Sequence, residues 1–327
     1  MRQANPQDVK ELIQRKVRNR MAGFSRESLH HVQLVPITAF SQNGEIALDP
    51  MRQQTQRLLD SGVRVFIPCA GSSEFHTLMT SEIVAAIKMT REVVGEQARV
   101  LCPVGLQLCN AIELGQQALA AGADGVLVMP LGFPYLSDTG AKDYYTQLLG
   151  ELGCPSIIYK KAAIPSDELL LELADHPQLV GVKYSVNEIS IFQNVVARDQ
   201  NRLDWFCGSA ERYAPFFALA GSPGYTSGAG NICPRVTVAM HAALARGDWS
   251  EALRLQSILL PIESYRARAD NSYNVSFLKH AITSLGLDFG DPRPPYRRLT
   301  TAEKHEIDSI VAPILAAEEE LASIAPV

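Results

Sequence analysis

From residue 32 onward, short apolar runs alternate with longer stretches in which apolar residues recur at helical spacing. Eight runs read as strands: 32–38 (VQLVPIT), 63–70 (VRVFIPCA), 100–105 (VLCPVG), 125–130 (GVLVMP), 156–160 (SIIYK), 179–185 (LVGVKYS), 203–209 (LDWFCGS) and 224–228 (GYTSG). They are continuously apolar rather than alternating, as parallel strands covered on both faces are. Between them, 81–95 reads as a helix with Ser81 as its cap and Gly95 at its end. The segment 110–122 has Asn110 and Gly122 in the same roles. Helical patterns over 140–153, 166–175, 188–199 and 211–220 occupy later gaps.

Eight such units in series, with no linker between them, predict an α/β fold: a (β/α)8 barrel over 32–233 with a C-terminal helical appendage. A doubly wound open sheet would place a glycine-rich turn after the first strand. The residues there, Phe40-Ser41-Gln42-Asn43-Gly44-Glu45, make no phosphate cradle. Beyond the eighth strand, patterns at 234–246, 248–266, 272–286 and 301–322 are broken by Asp291-Pro292-Arg293-Pro294-Pro295. Residues 234–327 therefore read as the last barrel helix and the appendage. At the other end, Val9, Leu12, Ile13 and Val17 predict a leading helix within a 1–31 extension.

Composition adds exclusions. Apolar residues make up 46% and charged residues 20%, and the net charge is −5, which gives no electrostatic case for nucleic acid or an anionic membrane as partner. No apolar run approaches the ~20 residues of a membrane span. The segment Met1 to Arg26 lacks the apolar core of a signal peptide, so a cytoplasmic location is expected. Six cysteines, Cys69, Cys102, Cys109, Cys154, Cys207 and Cys233, form no CxxC pair and read as free thiols in a reducing compartment. The seven histidines make no HExxH or HxH pattern, and His30-His31 reads as a surface pair; no metal is expected.

The sharpest chemical feature is Lys183, inside Leu179-Val180-Gly181-Val182-Lys183-Tyr184. An ammonium buried there would be costly to desolvate. A neutral amine would not, and it is a nucleophile that forms Schiff bases with ketones. The alternative is a strand-end lysine whose head reaches water or a carboxylate. Two further features fall at strand ends, where barrel active sites are built. Strand two runs into Ala70-Gly71-Ser72-Ser73-Glu74, small residues whose amides and hydroxyls suit an anion. Strand five ends in Tyr159-Lys160-Lys161, with a phenol able to relay protons and two lysines that would ordinarily be solvated. Each has an ordinary reading as well: a common turn, a core tyrosine, surface charge. Together they equip a pocket for a 2-keto acid, with no organic cofactor required.

These residues resemble the dihydrodipicolinate synthase and N-acetylneuraminate lyase family of Schiff-base lyases, from about Val32 to about Pro295. The family's GxTGE turn is similar to Gly71-Ser72-Ser73-Glu74-Phe75, its strand-five tyrosine to Tyr159, and its Gly-hydrophobic-Lys motif to Gly181-Val182-Lys183. The resemblance implies Lys183 as nucleophile, Tyr159 as proton relay, and carboxylate binding by Ser72 with turn amides near Gly71 and Ser73. It also implies Tyr135 reaching a neighbouring subunit of a dimer or tetramer. By their own positions, Thr226 at the end of strand eight can line the keto-acid end, and Lys161 can meet a distal carboxylate or hydroxyl as a point charge. Ser73 replaces the turn's second glycine, which implies a more crowded and hydroxylic cradle. No arginine follows Tyr159, which argues against the synthase's second substrate. The C-terminal stretch Asn274-Val275-Ser276-Phe277-Leu278-Lys279, with Gly290-Asp291-Pro292-Arg293-Pro294-Pro295, resembles 5-dehydro-4-deoxyglucarate dehydratases. The expected activity is thus dehydration or aldol cleavage of a keto-deoxy sugar acid; condensation of pyruvate with an aldehyde, or keto-acid binding without catalysis, are the alternatives.

Overall fold

All eight apolar runs become strands in the computed structural model, which describes residues 23–323. They are β1 (Val32–Leu34), β2 (Val65–Phe66), β3 (Arg99–Val104), β4 (Gly125–Val128), β5 (Ser156–Lys160), β6 (Leu179–Tyr184), β7 (Asp204–Cys207) and β8 (Tyr225–Ser227). Every neighbour pairs in parallel, and β8 pairs with β1, so the sheet closes into a barrel in strict chain order. Closure with one direction puts all eight strand C-termini at one mouth.

The helices between strands are α1 (Leu48–Asp60), α2 (Thr80–Val94), α3 (Leu108–Ala121), α4 (Asp138–Leu152), α5 (Asp167–Leu173), α6 (Ile189–Asp199) and α7 (Ala210–Leu219). Then come α8 (Pro234–Ala245), the last barrel helix, and α9 (Trp249–Arg266), α10 (Asn274–Ala281) and α11 (Thr301–Ser323) of the appendage. The sequence reading does not contain α1. Its inward stripe is Met51, Gln54, Thr55, Leu58 and Leu59, at helical spacing but with two polar members. Gln54 is buried because its amide donates to the Asn231 carbonyl at 2.7 Å, and Thr55 because its hydroxyl bonds the Met51 carbonyl at 2.7 Å.

Two predicted caps are corrected. Helix α2 starts one residue before Ser81, and its first free amide, that of Met79, donates to the Glu82 carboxylate at 2.9 Å. Asn110 likewise lies inside the first turn of α3, which follows Gln107. The C-terminal signals hold: Gly95 and Gly122 end their helices at φ +54° and +116°, where a side chain would be strained.

His30-His31 is not a surface pair. The His30 ring nitrogen lies 3.0 Å from the Asp204 carboxylate and its ring meets Phe206, while His31 is half-buried beside His241. Residues 26–29 form a short 3-10 turn leading into β1. Of the leading helix predicted over 5–30, the apolar positions Val9, Leu12, Ile13 and Val17 lie outside the described residues, and its last part, 23–30, holds that 3-10 turn instead of an α-helix. No described helix is long and apolar enough to cross a membrane. Five of the cysteines are buried; only Cys109 is exposed.

Candidate active site

Side chains along a strand alternate between the barrel interior and the helix layer. On β6, Tyr184 packs against Phe192 of α6 and Phe217 of α7, so its neighbour Lys183 points into the barrel. On β5, Lys160 points outward and Tyr159 inward, in register with Lys183. On β8, the Tyr225 hydroxyl bonds Thr237 of α8 at 2.7 Å, which turns Thr226 inward.

The Lys183 amine sits 4.0 Å from the centre of the Tyr159 ring and is only 5% exposed. Burial brings its pKa down to about 7, with the nearby Lys161 charge adding to the effect. Near neutral pH about half of these amines are unprotonated, against roughly one in three thousand for an ordinary lysine. No carboxylate pairs with Lys183 among the described residues, so the strand-end ion-pair alternative does not apply. The Tyr159 phenol is pushed above its usual range by burial, partly offset by a 3.5 Å contact with the Ser185 hydroxyl. It therefore stays protonated at neutral pH and can both donate and return a proton.

Two glycines make this arrangement possible. A Cβ on Gly208, just past β7, would lie 2.9 Å from the Lys183 Cγ and closer still to the Ser185 hydroxyl. A Cβ on Gly181 would meet the Asp204 carbonyl at 2.6 Å and the Phe206 ring at 2.9 Å. Their missing side chains leave room for the lysine stem and for the aromatic ring beside it.

Thr226 is buried, and its hydroxyl oxygen has no hydrogen-bond partner. Its inward-facing hydroxyl is thus not engaged by another protein group among the described residues. Ser72 stands half-buried on the 3-10 turn Gly71–Ser73 that follows β2, at the same mouth.

Ser73 departs from expectation. Its hydroxyl bonds the Pro36 carbonyl at 2.5 Å and Thr38 at 2.8 Å, and its amide donates to the Ala70 carbonyl at 2.9 Å. Both groups are engaged within the protein, so Ser73 neither crowds the cradle nor adds a hydroxyl to it. It fixes the turn from beneath instead. Lys160 is also not solvated: it is buried, 3.5 Å from Asp167, and donates to the Pro165 carbonyl at 2.6 Å. Lys161 is exposed and acts electrostatically on Lys183 and His76. Tyr135 is fully exposed on the β4–α4 loop. Ser185 escaped the sequence reading, although its position two residues beyond Lys183 on one strand face is a period-two signal. Among the described residues there is no group of three or more metal-ligating side chains.

The dihydrodipicolinate synthetase family model matches residues 28–314. The chain belongs to that family. It is accordingly an enzyme, a lyase. A probable 5-dehydro-4-deoxyglucarate dehydratase of Streptomyces coelicolor is 30% identical over 83% of this chain and 87% of its own length. A probable enzyme of the same name from Bacillus subtilis is 28% identical over 84% and 91%. Among solved structures, the dihydrodipicolinate synthase of Bacillus clausii superimposes with a TM-score of 0.84 at 33% identity, covering 90% of this chain and 99% of that one. That of Oceanobacillus iheyensis gives 0.85 at 32%, covering 89% and 98%. Family membership covers the whole barrel, including Lys183, Tyr159 and the Gly71–Ser73 turn.

Proposed function

We propose that this chain is a Schiff-base lyase that dehydrates or cleaves a 2-keto acid, specifically a keto-deoxy sugar acid. The observation that carries the proposal is the Lys183 amine, buried, held near pKa 7 and 4.0 Å from the Tyr159 ring. The neutral amine adds to the C2 ketone to give a carbinolamine. Tyr159, in contact with Ser185, passes a proton to the departing hydroxyl, and water leaves to give the iminium. The Tyr159 phenolate left by that transfer takes the C3 proton to give an enamine and returns it to the C4 hydroxyl, which the enamine expels as water. In the aldol direction, the C3–C4 bond breaks instead and its electron pair remains on C3. Ser72 and the turn amide of Gly71 hold the C1 carboxylate, and Thr226 meets the keto-acid end with its unpaired hydroxyl. No metal or organic cofactor enters these steps.

The sugar-acid branch is favoured by the dehydratase-named relatives. Condensation of the synthase type is disfavoured by the residues after Tyr159. Lys160 is paired with Asp167, and Lys161 is an exposed point charge rather than a bidentate fork for a second carboxylate. Lys161 can instead meet a distal hydroxyl or carboxylate of a longer substrate. A second subunit contributing Tyr135 belongs to the same proposal.

The test is a panel of 2-keto-3-deoxy sugar acids, scored separately for dehydrated product and for released pyruvate. Turnover of at least one, lost in Lys183→Ala, is expected. Binding without turnover across the panel would favour a keto-acid-binding protein on the same scaffold, and turnover only of pyruvate with an aldehyde would favour condensation.

A further inference from the structure

The Gly71–Ser73 turn is bracketed by two non-glycine residues in the left-handed region, Cys69 at φ +63° and Glu74 at φ +68°. Such conformations are unfavourable for residues with a Cβ and persist only where surrounding contacts impose them. On the β1 side, the contacts are those of Ser73 with Thr38 and Pro36. On the other side they come from the C-terminal appendage, more than 200 residues away in sequence.

The Glu74 carboxylate is fully buried, and one oxygen lies 2.9 Å from the amine of Lys279 on α10, itself 2% exposed. The other accepts the backbone amide of Arg293 at 2.8 Å. The Arg293 guanidinium then bonds the carbonyl of Thr77 at 3.0 Å and the carboxylate of Glu82 at 2.6 and 2.9 Å. Both cations pack on Phe40, with Lys279 3.9 Å and Arg293 4.1 Å from its ring centre. Gly290 sits so close to Phe40 that a Cβ would come within 2.3 Å of its carbonyl oxygen. A cavity of about 690 Å3 opens beside this assembly, and none of the predicted site residues lines it.

A buried ion pair is expensive to assemble, and replacing it with apolar residues is often neutral or stabilising. Its presence directly under a strained turn therefore calls for a reason other than stability. We infer that Lys279 and Arg293 are positioning residues: through Glu74 they hold the Gly71–Ser73 turn in the strained shape that presents Ser72 and the turn amide to the substrate carboxylate. The appendage is thereby a working part of the site rather than a lid on the barrel's outer face. This inference rests on the proposed carboxylate-binding role of the turn.

The experiment is borohydride trapping of pyruvate, titrated to saturation, on wild type, Lys279→Met, Glu74→Gln/Lys279→Met and Arg293→Gln. The double variant leaves no unpaired buried charge, and Arg293→Gln keeps the backbone amide on Glu74 but removes the guanidinium contacts with Thr77 and Glu82 that hold that amide in place. Either of them decides the matter if Lys279→Met does not fold. The half-saturating pyruvate concentration should rise about tenfold or more, the order expected when a binding group is misplaced by part of an ångström. The plateau of labelled protein and the pH midpoint near 7 should not change, because Lys183 and Tyr159 stand on other strands. Arg298→Ala, an exposed arm residue, should match wild type. Folded variants whose half-saturation stays within about twofold of wild type, with only thermal stability lowered, would show a merely structural anchor and overturn the inference alone. A wild-type chain that takes up no pyruvate overturns the proposed function, and the positioning role with it.

Discussion

At the scale of single residues, the chemistry depends on what burial does to an amine. Lys183 has its charge disfavoured by the surrounding barrel, and Lys161 adds repulsion from the mouth. Capture of a keto acid should therefore accelerate with rising pH up to about 7 and then level off, as stopped-flow or quench measurements would show. A midpoint near the ordinary lysine value would contradict this account of the amine. Lys161→Gln removes the repulsive charge, so the midpoint should move upward, by roughly a few tenths of a unit for an exposed charge in physiological salt. Tyr159→Phe keeps the aromatic face beside the amine but removes the proton relay. Its turnover should fall by about 10²- to 10⁴-fold while the protein remains folded.

Elements explain which of these features were legible beforehand. The eight strands could be read because most are short, largely apolar runs at regular spacing, and Lys183 and Tyr159 stood out as polar side chains inside two of them. Helix α1 was hidden because Gln54 and Thr55 occupy its buried stripe, satisfied by hydrogen bonds that only the folded chain supplies. The same holds for Ser73, whose partners Pro36 and Thr38 lie on another loop, and for Glu74, whose partners lie in the appendage. A turn shows its composition in sequence but not which way its side chains face. The role of Gly181 was likewise invisible as packing, although its motif was noticed. Gly181→Ala should destabilise the chain by about 1–3 kcal/mol, because the added methyl meets the Asp204 backbone and the Phe206 ring. Urea unfolding of the variant checks this, and an unchanged midpoint would mean that β6 and β7 shift apart more easily than their register implies.

At the scale of the whole molecule, the barrel carries buried charge outside the site. Glu211 on α7 is pushed up to about 7, first by burial and then by Glu263, while it accepts hydrogen bonds from Ser227 and Thr237. Its folded pKa lies above the unfolded one, so the folded chain binds more protons between about 4.5 and about 7, and stability falls as pH rises through that window. Glu211→Gln should raise the urea midpoint at pH 8 and change it little at pH 5; equal shifts at both would argue against this linkage. Family membership and the closed barrel establish a lyase scaffold, and every proposed step on it depends on one nucleophile. The most direct test is to incubate the chain with pyruvate and borohydride and locate any adduct by peptide mass spectrometry. The account requires one stable reduced adduct per chain, on Lys183 and absent from Lys183→Ala. No adduct, or one on Lys160 or Lys161 that persists in Lys183→Ala, would contradict it.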